Sequence, residues 1–427
     1  MMKLKSNHSF ILAWIVWGLG ATFYFYDILL QVSPGVMVPE LMQAFNVNAA
    51  SLGQLSAFYF YAYAGMQIPV GVLLDNYGPR RLLSFAALIC LMGCLLFGYA
   101  DGMSEAALGR FFIGFGSAFG AVGCMKLASN WFPHERFAFL TGLLVALGML
   151  GAVGGETPLA LLINAIGWHK SMVLLGLVGG IIAVCIWFIV KDSPVPMTKI
   201  TSVKRKANIL AGLKQVTQSK QTWLAAIYGG LMFAPTSAFG ALWGVPFLIE
   251  KYGITRPTAA GVISLLFIGW AIGSPISGWI SDTIQRRKPS MIIGTIFSLF
   301  CILAIIYAPV SLITVSFLLF FFGFFSSGFL TAFSIVREIN HNHISATALG
   351  FMNMLNMIGG AILQPLIGYL LDRYWNGVMI QGARQYSIEN YHTALAVLPA
   401  IIFISLLLIP FIKETYCKAI NTTHDMN

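Results

Sequence analysis

Apolar residues run through this chain in blocks too long for a soluble core, and polar residues collect in the gaps between them. A helix of about 20 apolar residues is long enough to cross a bilayer, and a helix pairs its own backbone groups where no water can. Twelve such blocks are read, at roughly residues 10–32, 51–73, 82–100, 105–129, 137–163, 169–190, 222–249, 258–280, 290–308, 312–335, 346–371 and 391–412. The pattern divides the chain into a bundle at 1–190, a basic linker at 191–221 and a second bundle at 222–427. The linker opens with Ser193-Pro194-Val195-Pro196, whose prolines stop the sixth block. Residues 372–390 form a polar gap expected to cap the mouth on their side. Val32-Ser33-Pro34-Gly35 closes the first block, and Pro235 and Trp243-Gly244-Val245-Pro246 interrupt the seventh. Broken backbone in lipid is tolerated only where protein buries it or a cavity meets it, so these ends are gate candidates.

Composition supports the pattern. With 58% hydrophobic and 9% charged residues, a chain of 427 residues cannot keep its apolar surface from water outside a membrane. The formal charge of +10 raises nucleic acid as a partner, but the basic residues lie in alternate gaps and the termini and build no groove or stacking platform. Arg80, Arg81, Arg136, Lys204, Arg205, Lys206, Arg286, Arg287, Lys288 and Lys418 stand on one side; few stand on the other. The positive-inside rule then places both termini and the linker in the cytoplasm. The first block carries no small-residue cleavage site and is read as a span, not a signal. Five cysteines lie in spans and Cys417 in the tail, without metal spacing, so neither disulfides nor a metal is expected. The sequon at Asn421 falls in that cytoplasmic tail. There is no Walker sequence, so ATP is not expected as the energy source, and no cofactor is expected.

One short stretch carries specific chemistry. Gly71-Val72-Leu73-Leu74-Asp75-Asn76-Tyr77-Gly78-Pro79-Arg80-Arg81 is read as a polar gap whose Gly78-Pro79 makes the turn. Gly278, Asp282, Arg287 and Lys288 repeat Gly71, Asp75, Arg80 and Arg81 at one constant offset, which Pro39 and Pro246 share. A constant offset marks a duplicated unit. The stretch resembles the loop between helices 2 and 3 of the major facilitator superfamily. Arg110-Phe111-Phe112-Ile113-Gly114-Phe115-Gly116 resembles its R-x-x-x-G-x-G motif, and Trp131-Phe132-Pro133 with Glu135-Arg136, one residue shorter, resembles the W-F-P-x-x-x-R loop after helix 4 in transporters of organic acids, sugars and amino acids. The resemblance implies an all-α membrane protein with twelve transmembrane helices in two pseudo-symmetric six-helix bundles. It implies secondary transport by alternating access rather than an enzyme. It also makes Gly71, Asp75, Gly78, Arg80, Arg81, Gly278, Asp282 and Arg287 a conformational switch, with Asp75 binding the end of helix 11 when the inner gate is shut.

Ionisable residues inside spans are functional candidates because the bilayer penalises them. They are Asp27, Arg110, Lys126 and Glu156. On a helical wheel Gly20, Tyr24, Asp27 and Gln31 fall within about 60° of one another. Tyr59, Tyr63 and Gln67 form a wider stripe, and Asn353, Asn356 and Gln364 cluster on one face of span 11. The superfamily's helix order implies that these stripes converge on a cavity. The plainer readings stay open: tyrosines also form interfacial belts, and Asn and Gln also join helices. Arg110 is read either as a clamp between spans 4 and 1 or as part of proton coupling, and Lys126 as snorkelling to the interface. Glu156, placed mid-helix in span 5, is read as the proton carrier and Asp27 as a solute ligand.

Tyr26-Asp27 with Ser33-Pro34-Gly35, and later Leu242-Trp243-Gly244-Val245-Pro246-Phe247, resemble a bacterial group that includes phagosomal amino-acid and nucleoside transporters. Ile28 and Ser117 stand where organic-anion symporters often carry an arginine and a glutamate, which argues against an organic anion. The expected activity is proton symport of a small polar solute such as an amino acid or nucleoside, by a monomer of the bacterial inner membrane. A proton-coupled efflux antiporter, a uniporter and a non-transporting receptor are the alternatives.

Overall fold

The computed structural model describes residues 7–133, 136–193, 209–341, 344–380 and 383–418. Pro194, Pro196, Lys204, Arg205, Lys206, Glu135 and Asn421 lie outside the described residues. Twelve helices there are long and apolar enough to cross a membrane. They are spans 1 to 12 in order: Phe10–Val36, Ala49–Tyr77, Pro79–Gly98, Met103–Trp131, Phe139–Ile166, Trp168–Ile189, Lys220–Tyr252, Arg256–Thr283, Lys288–Tyr307, Leu312–Ile339, Ser345–Arg373 and Ile388–Phe411.

Their packing repeats. Span 1 packs on 4 and 5, span 2 on 4, and span 3 on 4 and 6; span 7 packs likewise on 10 and 11, span 8 on 10, and span 9 on 10 and 12. The two sets of six are joined through span 2 against 11 and span 5 against 8. With an even number of spans, both chain ends meet the same side. That side, carrying the basic connections, is the basic face below; the other is the far face.

Gly71 to Tyr77 is helical, not a loop: span 2 runs to Tyr77 and span 3 starts at Pro79. Val72, Leu73 and Leu74 propagate a helix readily, and one glycine costs only about 1 kcal/mol. The whole connection is Gly78, at φ +80°, a conformation that favours glycine. Pro79 then sits at a helix start, where its missing N–H is harmless. Arg80 fastens this corner to span 6: its N–H donates to Asp192 Oδ1 at 2.8 Å and its Nε–H to the Trp187 carbonyl at 2.8 Å.

Several spans are interrupted among the described residues, and the breaks in spans 1, 7 and 5 bear on the site. Span 1 is α-helical to Val32 and tightens into a 3-10 turn over Ser33–Val36. Span 7 is α-helical to Pro235 and widens into a π-helical turn over Thr236–Trp243. The two breaks meet: a methyl group at Gly35 would lie 2.9 Å from the Ala241 carbonyl. Span 5 breaks at Glu156, between Phe137–Gly154 and Thr157–Ile166. Glu156 is therefore not mid-helix. Pro158 has no N–H for the Gly154 carbonyl, so the helix stops there, and Pro158 then sits in the first turn of a new helix, where its missing N–H is harmless.

On the far face residues 372–390 fold over the spans. Met379–Ile380 pairs antiparallel with Ala383–Arg384. Beneath them lies the helix Val38–Phe45, which follows span 1.

Candidate functional site

Arg110 is fully buried, and its role follows from Pro34. Proline cannot donate to the carbonyl four residues back, so the Leu30 carbonyl lacks its helical partner. Arg110 and the Ser33 hydroxyl fill the gap: Nη1 donates to Leu30 O at 2.8 Å, Ser33 Oγ to the same carbonyl at 2.9 Å, and Nη2 to Gln31 O at 3.4 Å. Its guanidinium lies 5.0 Å from the centre of the Tyr59 ring. Of its two sequence readings, the geometry is that of a clamp between spans 4 and 1. No carboxylate pairs with it among the described residues.

Beside this clamp runs a row of polar side chains. The Tyr59 hydroxyl donates to Gln31 Oε1 at 3.5 Å, and the Tyr59 and Tyr63 rings stack at 5.7 Å. Gln67 Nε2 donates to the Tyr63 carbonyl, and Asn353 Nδ2 donates to Gln67 Oε1 at 2.6 Å. Asp27 lies within electrostatic reach of Tyr24, Tyr59 and Tyr63. It is fully buried, and neither carboxylate oxygen has a hydrogen-bond partner among the described residues. Small residues let the helices close here: Gly120 of span 4 faces the Asp27 carboxylate, and Gly148 of span 5 faces the Tyr24 ring. Tyr24, Asp27, Gln31, Tyr59, Tyr63, Gln67 and Asn353 are thus brought together from spans 1, 2 and 11.

Three other candidates lie apart. Glu156 is fully buried, with both oxygens unpartnered among the described residues. Its neighbour Gly155 packs on Leu29 and Val32, and Thr157 approaches Gly261 of span 8. Asn356 and Gln364 turn toward span 7. A methyl group at Gly229 would lie 2.9 Å from Asn356 Oδ1, and Gln364 Nε2 donates to the Ser237 carbonyl at 2.8 Å. The Gln364 carbonyl in turn accepts from Trp243 Nε1 at 3.1 Å.

The switch residues differ between the halves. Asp75, 67% exposed, pairs with Lys126 of span 4 at 2.7 Å and not with span 11. Lys126 therefore has a partner rather than simply snorkelling. Such an exposed pair contributes at most about 1 kcal/mol. Gly71 and Gly278 face open space, and Arg81 is exposed. In the second half Arg287 is buried and bonds Asp282 and Glu338, each at 2.6 Å. Glu414 accepts from the backbone N–H groups of Arg287 and Lys288. Burial alone would raise its carboxyl, but these and two further backbone donors outweigh it and hold the group below the usual carboxylate range. Each of these ion pairs stays within one half, so none of them bridges the halves at the basic face.

The far face is shut. Glu40 and Arg256, from opposite halves, form a half-buried ion pair. Asp372, at the end of span 11, accepts from the N–H groups of Ala49 and Ala50 at the start of span 2, at 3.3 and 2.7 Å. Gly53 meets the Gln364 carbonyl and Gly368 meets the Ala49 carbonyl so closely that no Cβ fits. Sequence reading missed Glu40, Arg256 and Asp372. All three lie at helix ends, where a charged residue is unremarkable until a partner from the other half is in place.

Residues 18–362 match the sequence profile of the Major Facilitator Superfamily. The chain is 23% identical over 406 residues to the probable sulfoacetate transporter SauU of Cupriavidus necator, covering 89% of this chain and 92% of that protein. It is 25% identical to the lysosomal dipeptide transporter MFSD1 of Danio rerio, covering 82% and 78%. Among solved structures, a bacterial homologue of the human lysosomal transporter Spinster, inward-facing and unoccupied, superposes with a TM-score of 0.76 at 16% identity, covering 94% of this chain and 97% of that one.

Proposed function

The chain belongs to the Major Facilitator Superfamily and is a membrane transporter of small molecules, and from that premise we propose that it carries a small polar solute bearing an amine or several hydroxyl or amide groups, by proton symport. One observation carries the solute class. In the row formed by spans 1, 2 and 11 the charged side chain is Asp27, and it has no hydrogen-bond partner among the described residues. Arg110, at the edge of the row, gives both terminal nitrogens to the carbonyls of span 1. An organic anion requires an available cation, whereas an amino acid, short peptide or nucleoside presents donors that Asp27, Tyr59, Tyr63 and Gln67 can meet. The transporters of sulfoacetate and dipeptides among its relatives bracket these two chemistries.

Thermal-shift screening of the purified protein against amino acids, dipeptides, nucleosides and organic acids tests the class. Stabilisation by organic acids alone rejects it. For a stabilising solute, Asp27→Asn should weaken binding by about 10- to 100-fold, the loss of one hydrogen bond to a charged group. Isothermal titration reads this, and unchanged affinity removes Asp27 from the site. Solute flux in proteoliposomes separates a carrier from a receptor, and its response to an imposed proton gradient separates symport from uniport and from exchange.

We place both termini on the cytoplasmic side of a bacterial inner membrane, and read the carrier as a monomer divided at the linker 191–221. The basic connections support this orientation. A reporter fused after Lys418 should read cytoplasmic and one inserted after Gly377 external; the reverse result inverts the faces and the direction of the transport cycle with them.

A further inference from the structure

A cavity lies away from the polar row, in the far-face closure. This half-open cleft offers about 310 Å³ between the helix Val38–Phe45, the far-face end of span 7 and the strand Ala383–Arg384. That volume is at the lower end of the range for small-molecule sites. Met42, Trp243, Tyr386 and Tyr391 give it an apolar, aromatic lining, and Glu250 and Arg384 bring charge to it.

The charges there are unequally committed. Arg384 is bound to Asp372 at 3.1 Å, and its guanidinium lies over the Trp375 ring, 4.2 Å from the centre. Glu40 is paired with Arg256 close by. Lys251, next to Glu250 in sequence, donates to the carbonyls of Ile305, Ile306 and Ala308 at the end of span 9. Glu250 has only a neutral partner among the described residues, the Gln385 amide at 3.1 Å. A half-buried carboxylate beside an apolar aromatic wall, with Arg256, Arg384 and Lys251 engaged elsewhere, is complementary to a cation.

We propose that this cavity binds a small organic cation, a primary ammonium on a compact apolar or aromatic body, with the ammonium on Glu250 and the body against Pro246, Tyr386 and Tyr391. Met42 comes from the first half, and Trp243 and Glu250 come from the second. The site is complete only while the far face is closed, so an occupant holds that state. It acts as a brake on the transport cycle from the far side, separate from the solute bound at Asp27.

Phenethylamine is the probe, with phenylacetate and 2-phenylethanol as its anionic and neutral counterparts, titrated calorimetrically into the full-length protein in detergent. Phenethylamine should bind at least about tenfold more tightly than either counterpart. Glu250→Gln should remove that preference, and Met42→Trp should block binding by filling the cavity while leaving Glu250 in place. Asp27→Asn should leave phenethylamine binding intact. The proposal is overturned if the three probes bind alike, if phenethylamine does not bind, or if its binding survives Glu250→Gln and is lost in Asp27→Asn. The last outcome assigns the cation to the polar row. A wild-type thermal shift retained by each variant verifies that it is folded.

Discussion

Asp372→Ala should unlock the far face. One carboxylate ties the end of span 11 to the first turn of span 2, in the other half of the molecule. A helix start exposes unpaired N–H groups and the positive end of its dipole, and Asp372 answers both at Ala49 and Ala50. The Tyr386 hydroxyl also donates to it at 2.6 Å and Arg384 at 3.1 Å. Burial and the adjoining carboxylate push that hydroxyl above the usual tyrosine range, so it remains a donor. Hydrogen bonds to a charged group contribute about 1.5–3 kcal/mol each, and about 1.4 kcal/mol is tenfold in population. Loss of the cap should therefore raise the open-far fraction tenfold or more. Ser56 is buried at this end of span 2. A single cysteine there should react at least about tenfold faster with a membrane-impermeant maleimide in Asp372→Ala than in the parent. Asp372→Glu should recover most of the protection. Equal labelling in all three would show that the cap does not set the gate.

Glu156→Gln should abolish gradient-driven accumulation while leaving exchange of labelled for unlabelled solute. A carboxylate buried without a partner is costly, so within the cycle Glu156 must meet a proton or a cation. Its neighbourhood offers mainly apolar surface: Gly155 packs on Leu29 and Val32, and Gly261 approaches Thr157. Glutamine fills nearly the same volume but cannot carry a proton in and out. Accumulation should fall to the equilibrium ratio, a loss of the whole concentrative step, with exchange within about twofold of the parent. Uptake in proteoliposomes under an imposed proton gradient reads the first, and counterflow reads the second. Accumulation retained in Glu156→Gln excludes Glu156 as the coupling residue. If Asp27→Asn retains it as well, coupling through these acids is excluded.

Helix existence was legible because membrane spans are long and chemically uniform. The twelve blocks lie within a few residues of the observed spans, and the family motifs at Asp75 and Arg110 pointed to the right architecture. Local breaks were less visible. Glu156 was read as mid-helix although Pro158 stands two residues on; a Gly-rich approach looks like a packing surface until the missing proline N–H is counted. The stretch from Gly71 to Tyr77 was read as a loop because charge at its end outweighed the helix formers before it. Site residues divided by distance. Tyr59, Tyr63 and Gln67 share one helix face, so a wheel groups them. Their contact with Asn353 depends on how the halves meet, which no helical period encodes. Lys126 illustrates the same limit. Its partner Asp75 lies on a different span, and only the crossing of spans 2 and 4 brings them together.

The far closure has a consequence for an empty carrier. Gly53, Gly368 and Gly35 bring backbone directly onto backbone, at Gln364, Ala49 and Ala241. Those contacts are made by the polypeptide itself, and they leave no gap the size of a water molecule between the paired segments. Closure at these three crossings therefore needs no bound solute, and an idle copy of the protein can hold it.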